Sequence, residues 1–490
     1  MTGSAAFADV TAEQVWNDWK QYMAGFGYDM QAEEDYSAGA LTVSNLTMAM
    51  QIPEEDVSIS IAMGGFTFTD NGDGTVSMSI PPQMPITVNV DAAEGEDVDV
   101  KVDYDTSGYS VVISGDPDDM TYNYSVAEIT IALAEMAVNG APVDFGQASV
   151  TMTDITGSSN MKKGDMRSTV QRVNSGPITF LADINDPEGP GQMKVSGGYD
   201  SIGFTGEGSF PLVMDPAQMS EMLEAGFAFN GAFSFGAGSS EFNFTDEEQA
   251  VQGASSTGGG TLDVAMDADR LSYAGRAVDY EIQLSGGEFP FPVEMAMRET
   301  AFNLLMPVAS SDEEQDFAFG LTMGDFTMSD LIWSMFDAGG QLPRDPATIA
   351  IDLTGKVKLL VDLMNPDEMA AVDRGEKMPG ELHALDLNNL RVSVAGAELT
   401  GEGGFTFDNS DMVTFGGMPA PTGSVDLKLV GGNGLLDKLV AMGFVPEEQA
   451  MGARMMMGMF AVPGQGEDEL TSKIEVTGDG QVKANGQRLK

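Results

Sequence analysis

The chain reads as a mainly β protein: long, curved antiparallel sheet with a few short capping helices. Three observations predict this. Apolar and polar residues alternate with period two along most of the 490 residues, clusters of Asp, Asn, Gly and Pro punctuate the alternation, and helical periodicity is confined to short segments.

Taken in order, Thr2-Gly3-Ser4-Ala5-Ala6-Phe7-Ala8 before Asp9 has the small-x-small ending of a secretory signal peptide, with Ala6 and Ala8 at the two small positions. No basic or apolar leader region precedes it. Residues 1–8 are therefore expected to be the remnant of a signal peptide whose start lies upstream, and the mature protein is expected to be periplasmic. No stretch reaches about 18 apolar residues, so no transmembrane span is expected.

A helix is predicted over 11–24. Thr11 and Gln14 have capping-box spacing, Val10 and Val15 occupy staple positions, and Val15, Trp16, Trp19, Tyr22, Met23 and Phe26 form one apolar stripe. Such a stripe more often plugs a sheet than anchors in lipid. From about Leu41 the period becomes two. Val57, Ile59, Ile61 and Met63 alternate with Ser58, Ser60 and Ala62, and Val98, Val100 and Val102 alternate with Asp97, Asp99, Lys101 and Asp103. One face is apolar and the other wet, as in antiparallel meanders. Asp70-Asn71-Gly72-Asp73-Gly74, Gly115 to Asp118, Asn185 to Gly191 and Thr477 to Gly480 read as hairpin turns. The Ser/Gly run 253–260 reads as a linker between β-rich halves, 9–252 and 261–490. Further helices are predicted near 329–337, 365–373, 433–442 and 446–460. Asp215 and Asn365 are candidate N-caps, each followed by proline.

Leu41, Asn45, Leu46 and Gly64-Gly-Phe-Thr-Phe68 match Leu385, Asn389, Leu390 and Gly403-Gly-Phe-Thr-Phe407, which reads as a degenerate duplication of a β-meander.

Composition excludes several functions. A formal charge of −53 at pH 7 disfavours nucleic acid and anionic bilayer surfaces, both of which recruit basic residues. With no cysteine there is no thiol catalysis, thiolate metal site or disulfide, which fits an oxidising compartment. The single histidine, His383, has no second histidine with which to share a metal, and no Gly-x-Ser-x-Gly elbow accompanies it. Gly355-Lys356 lacks the other residues of a phosphate loop, and Gly432-Asn-Gly434 meets Asp437 where a dinucleotide loop needs its third glycine. No catalytic residue, cofactor site or metal site is expected, and the chain does not read as an enzyme.

Methionine is the residue type used unusually, 35 times in all. Met48, Met50, Met63, Met78 and Met84 mark the first meander, and Met451, Met455, Met456, Met457 and Met459 the last helix. Ordinary core filling accounts for such residues; an adaptable groove for an acyl chain or other amphiphile is the functional alternative. Its candidate ligand-binding residues are Met455, Met456, Met459 and Phe460, with Trp16 and Trp19 as a lid. The partner is then a lipid or other hydrophobic ligand. The competing expectation is a structural component of the envelope with a protein partner and no small ligand.

Leu385-Asp-Leu-Asn-Asn-Leu390, Met418-Pro-Ala-Pro-Thr-Gly423, Gly434-Leu-Leu-Asp-Lys-Leu439 and Gly480 to Leu489 resemble the family described as domain of unknown function 2125, and Ala8 to Trp16 is similar to mature N-termini in that family. The resemblance implies a Gram-negative envelope protein without an assigned activity, so no functional residue is carried over. The sheet grammar resembles, more loosely, AsmA-like periplasmic β-rich proteins associated with lipid traffic.

Overall fold

Alternating sequence becomes antiparallel ladder almost throughout the computed structural model, which describes residues 9–52, 57–92, 95–186, 189–247, 249–287 and 289–489. The signal-peptide remnant, residues 1–8, lies outside the described residues. The chain divides into two units, the first running to Gly259 and adding Leu284–Phe291, the second comprising Gly260–Gln283 and Pro292 onward.

The first unit contains α1 (Ala12–Gly25), β1 (Asp29–Ser37), β2 (Ala40–Ile52), β3 (Val57–Asp70), β4 (Val76–Ser79), β5 (Gln83–Ala92), β6 (Val98–Ser107), β7 (Ser110–Asp116), β8 (Asp119–Val138) and β9 (Ala141–Pro142). It continues with β10 (Gly146–Lys163), β11 (Met166–Ser175), β12 (Ile178–Asn185), β13 (Gln192–Tyr199), β14 (Ile202–Pro211), α2 (Met219–Glu224), β15 (Ala228–Phe235), β16 (Gly238–Thr245) and β17 (Ala250–Thr257).

Its long strands each pair with two shorter ones placed end to end. β3 pairs with β4 through 67–70 and with β5 through 57–63; β8 takes β7 and then β6; β10 takes β12 through 146–152 and β11 through 156–163. Left-handed residues stand at the changeovers: Gly65 (φ 116°) in β3 and Asp154 (φ 50°) in β10. At Gly65 an added Cβ would sit 2.0 Å from the Val43 carbonyl oxygen, so glycine is required there.

Helix α1 forms as its sequence dictates. Thr11 Oγ1 accepts from the Gln14 amide at 3.4 Å, Gln14 Oε1 accepts from the Thr11 amide at 3.0 Å, and Val10 and Val15 are both buried. The helix closes one part of the apolar face, where Val15, Trp16, Leu41, Val43, Phe66, Phe68, Val76, Ile113 and Met120 make a dry core. A second part of that face is only half-buried: Met48, Ile61, Val88, Val100 and Met136 follow one another across β2, β3, β5, β6 and β8.

The Ser/Gly run 253–260 is strand rather than linker. Gly253 faces Phe242 in the β16–β17 ladder, and Ser240 and Ser255 hydroxyls are hydrogen-bonded at 2.8 Å. Small side chains fit the pleat between rings, and the ladder satisfies the backbone that composition alone left free. The two units nonetheless part at Gly259 and Gly260, inside that run.

The second unit carries β18 (Gly259–Met266), β19 (Arg270–Gly286) and β20 (Phe289–Pro307) over most of their length, then β21 (Gln315–Met328), α3 (Asp330–Phe336), β22 (Ala347–Leu359), α4 (Pro366–Asp373), β23 (Gly380–Val394) and β24 (Ala397–Asp408). It ends with β25 (Ala420–Val430), α5 (Gly432–Ala441), α6 (Glu447–Phe460), β26 (Val462–Pro463), β27 (Glu469–Val476), β28 (Val482–Ala484) and β29 (Gln487–Arg488). From β20 to β25 each strand pairs with the next, and β25 pairs with β27, leaving α5 and α6 as the crossover at one end of the sheet. Asn365 caps α4, its Oδ1 accepting from the Asp367 and Glu368 amides at 3.0 and 3.2 Å.

The two matching segments are both hairpins, β2–β3 and β23–β24. Their registers differ: Leu41 faces Phe68, whereas Leu385 faces Phe405, two residues earlier in the motif. A shift of two keeps every side chain on its face.

Candidate functional site

In the second unit, alternation places leucine, isoleucine, valine and phenylalanine on one face of six successive strands. Met323, Ile349, Val392, Leu399, Leu429 and Leu470 lie in one cross-strand row from β21 to β27. Phe319, Leu353, Leu387, Gly403, Val425 and Ile474 form a parallel row. At ~4.8 Å between strands such a row spans roughly 24 Å. The opposite face is wet, with Arg391, Thr400, Lys428 and Thr471 in register.

No side chain of either apolar row is buried; Phe319, Met323 and Ile349 are 43%, 39% and 48% exposed. The contrast with the first unit is physical. There α1 brings two indoles down onto the sheet and excludes solvent. Here α6 stands over β24, β25 and β27 and leaves a groove of about 450 Å³. Leu399, Leu427, Leu429, Leu470 and Ile474 make its floor, and Ala453, Met456, Met457, Phe460 and Ala461 its roof. Ser472 is its only polar lining residue, and its hydroxyl donates to the Phe460 carbonyl, tying the end of α6 to β27. The groove offers hydrocarbon contact and shape, with no group suited to bond making or breaking.

Helix α6 is apolar on both sides. Met456, Met457 and Phe460 face the groove, while Met451, Met455 and Met459, spaced i, i+4, i+8, are 65%, 68% and 56% exposed. Of the sequence-predicted ligand residues, Met456 and Phe460 line the groove, whereas Met455 and Met459 stand on the outer side of the same helix.

Trp16 and Trp19 are not a lid. Trp16 is 1% exposed, packs edge-on to Phe66 at 5.6 Å between ring centres, and donates from Nε1 to Glu34 at 2.7 Å. Trp19 packs on Phe66 and Phe68 and donates to the Tyr122 hydroxyl at 3.1 Å. Both indoles are core, because the stripe that carries them meets the apolar face of β2 and β3. The floor leucines carry one signal in the sequence, the alternation Val425-Asp-Leu427-Lys-Leu429, which marks a strand and does not by itself mark a site.

The near-miss motifs have structural explanations. Gly355-Lys356 lies within β22, with Phe317 and Ala384 packed on the glycine, and is no loop. At Gly432-Asn-Gly434 the start of α5 is already occupied by a carboxylate: Asp468 accepts from the Asn433 and Gly434 amides at 3.3 and 2.8 Å, where a phosphate would have to sit. His383 lies in β23 with Nδ1 3.4 Å from Glu314 and Nε2 3.6 Å from Glu381. Among the described residues no group of three or more His, Asp or Glu side chains is arranged to hold a metal ion. Among them, too, no helix is long and apolar enough to cross a membrane.

The family model described as "uncharacterized protein conserved in bacteria (DUF2125)" matches residues 209–489, more than half of the chain, and the chain belongs to that family. No curated protein and no solved structure matches it.

Proposed function

We propose that this member of an uncharacterised bacterial family is a non-catalytic, exported binding protein that holds a lipid or other amphiphile on the apolar face of its second unit. One observation supports the reading: a face of six strands with apolar side chains in register, roofed over three of them by a methionine-rich helix, and with no row residue sealed from solvent. Exposed apolar surface of this extent is costly unless something covers it. Methionine and leucine without fixed polar groups suit a flexible chain of variable shape. The acidic composition disfavours an anionic headgroup and leaves neutral or zwitterionic amphiphiles as the preferred class. Export is supported by Ala6-Phe7-Ala8 and by the absence of cysteine.

The test is native purification from an envelope fraction followed by mass spectrometry of an organic extract. Near-stoichiometric lipid is expected. A lipid-free protein carrying a stable protein partner would replace this reading with a structural role. Sequencing the N-terminus of the mature protein tests export separately: processing before Asp9 is expected, and retention of Met1 in the cytoplasm would remove it.

A further inference from the structure

Four thioethers on α6 stand in solvent: Met451, Met455, Met456 and Met459 are 65%, 68%, 62% and 56% exposed. Met456 is distinctive, since the same side chain that is open to water also lines the apolar groove. Elsewhere the chain treats methionine differently. Met120, Met222, Met84 and Met78 are at most 9% exposed, and Met335, Met378 and Met418 are exposed but line none of that groove.

A thioether is apolar, but its sulfur lone pair remains nucleophilic and open to oxidants. Attack of the sulfur on one oxygen of a peroxide breaks the O–O bond. The sulfur is oxidised to a sulfoxide, the peroxide is reduced, and hydrogen peroxide leaves as water after proton transfer. The product is a strongly polar S–O group on a side chain that had been part of a hydrocarbon surface. In the roof over Leu427 and Leu429 the part of this group turned to the groove meets hydrocarbon, because the one polar side chain of the lining, Ser472, already donates to the Phe460 carbonyl.

We infer that α6 is a peroxide-sensitive modification site, and that oxidation of Met456 in the groove roof loosens the hold of the second unit on its amphiphile. The effect on binding rests on the functional reading above; the selectivity of oxidation does not. Leucine preserves size and apolarity at these positions while removing the sulfur.

The experiment exposes the full-length protein to dilute hydrogen peroxide, maps sulfoxides by peptide mass spectrometry, and titrates lysophosphatidylcholine before and after. Sulfoxide is expected at Met451, Met455, Met456 and Met459 well before Met120 and Met222. Affinity for the lysolipid is expected to fall about tenfold, the cost of covering a hydrated polar group with an apolar ligand. With the response read as the ratio of each variant's own affinities before and after peroxide, Met456→Leu should lose it whatever its starting affinity, whereas a triple leucine variant at Met335, Met378 and Met418 should keep it. Oxidation of Met120 as early as Met456, or a response unchanged in Met456→Leu, overturns the inference. If the untreated protein binds no lysolipid, the functional reading fails, and with it the effect on binding. The sulfoxide map then still decides whether the α6 thioethers are oxidised ahead of the buried ones.

Discussion

Asp18 and Arg167, 149 positions apart, meet as a buried bidentate pair, both bonds 2.7 Å long, with the Tyr22 ring beside the guanidinium. Only 7% of the Asp18 side chain and 5% of the Arg167 side chain remain exposed, so the charges depend on each other. Replacing one partner strands the other in a low-dielectric site. Asp18→Ala is expected to lower the stability of the first unit by about 3–5 kcal/mol, read from the urea midpoint, and Arg167→Met with Asp18→Leu to recover much of it. Recovery would show that the cost lay in the unpaired charge. Two tyrosines make the same core sensitive to alkali. Burial pushes the Tyr109 and Tyr122 hydroxyls up to about 12. Because the folded values lie above the unfolded value near ~10, their contribution is complete below pH ~10 and is lost as pH rises toward 12. Stability measured across that window should fall, and Tyr122→Phe should flatten the fall. These pairings were not legible beforehand, since alternation assigns a side chain to a face but not to a partner 149 residues away.

At the scale of elements, local signals were the most legible. The capping box of α1, the proline-led α4 and the turn at Asp70 to Gly74 all form as their residues dictate, Asp73 accepting from the Thr75 amide at 3.1 Å. Thr11→Ala is expected to cost about 1 kcal/mol, measured by thermal unfolding. Gly65 is the stricter case. Its φ of 116° and the nearby Val43 carbonyl predict that Gly65→Ala costs more than about 1 kcal/mol, whereas Gly72→Ala, whose added Cβ meets nothing within 4 Å, should cost less. What misled was composition. The Ser/Gly run 253–260 looked like linker because small residues favour coil, yet paired against the phenylalanine-bearing β16 its residues up to Thr257 are strand. The tryptophans were legible as a plug, since such a stripe more often covers a sheet than anchors in lipid; α1 over β2 and β3 agrees with that expectation and leaves the lid without support.

At the scale of the whole molecule, one amphipathic grammar yields two outcomes. In the first unit part of the apolar face is covered by α1 and becomes core; in the second, α6 covers part of it and leaves a groove. Fold class was readable from the period of the sequence because alternation is a local property. Whether an apolar face ends up sealed was not, because the covering element and the strands it covers are far apart in sequence, as Met456 is from Leu399. The account therefore turns on whether the open face of the second unit is a binding surface. Calorimetric titration of lysophosphatidylcholine into the purified protein addresses this most directly, comparing the parent with Leu429→Glu on the groove floor and Thr400→Glu on the wet face. The account predicts saturable binding with a negative heat-capacity change, weakened about tenfold or more by Leu429→Glu and unchanged by Thr400→Glu. No saturable binding, or equal effects of the two substitutions, would contradict it.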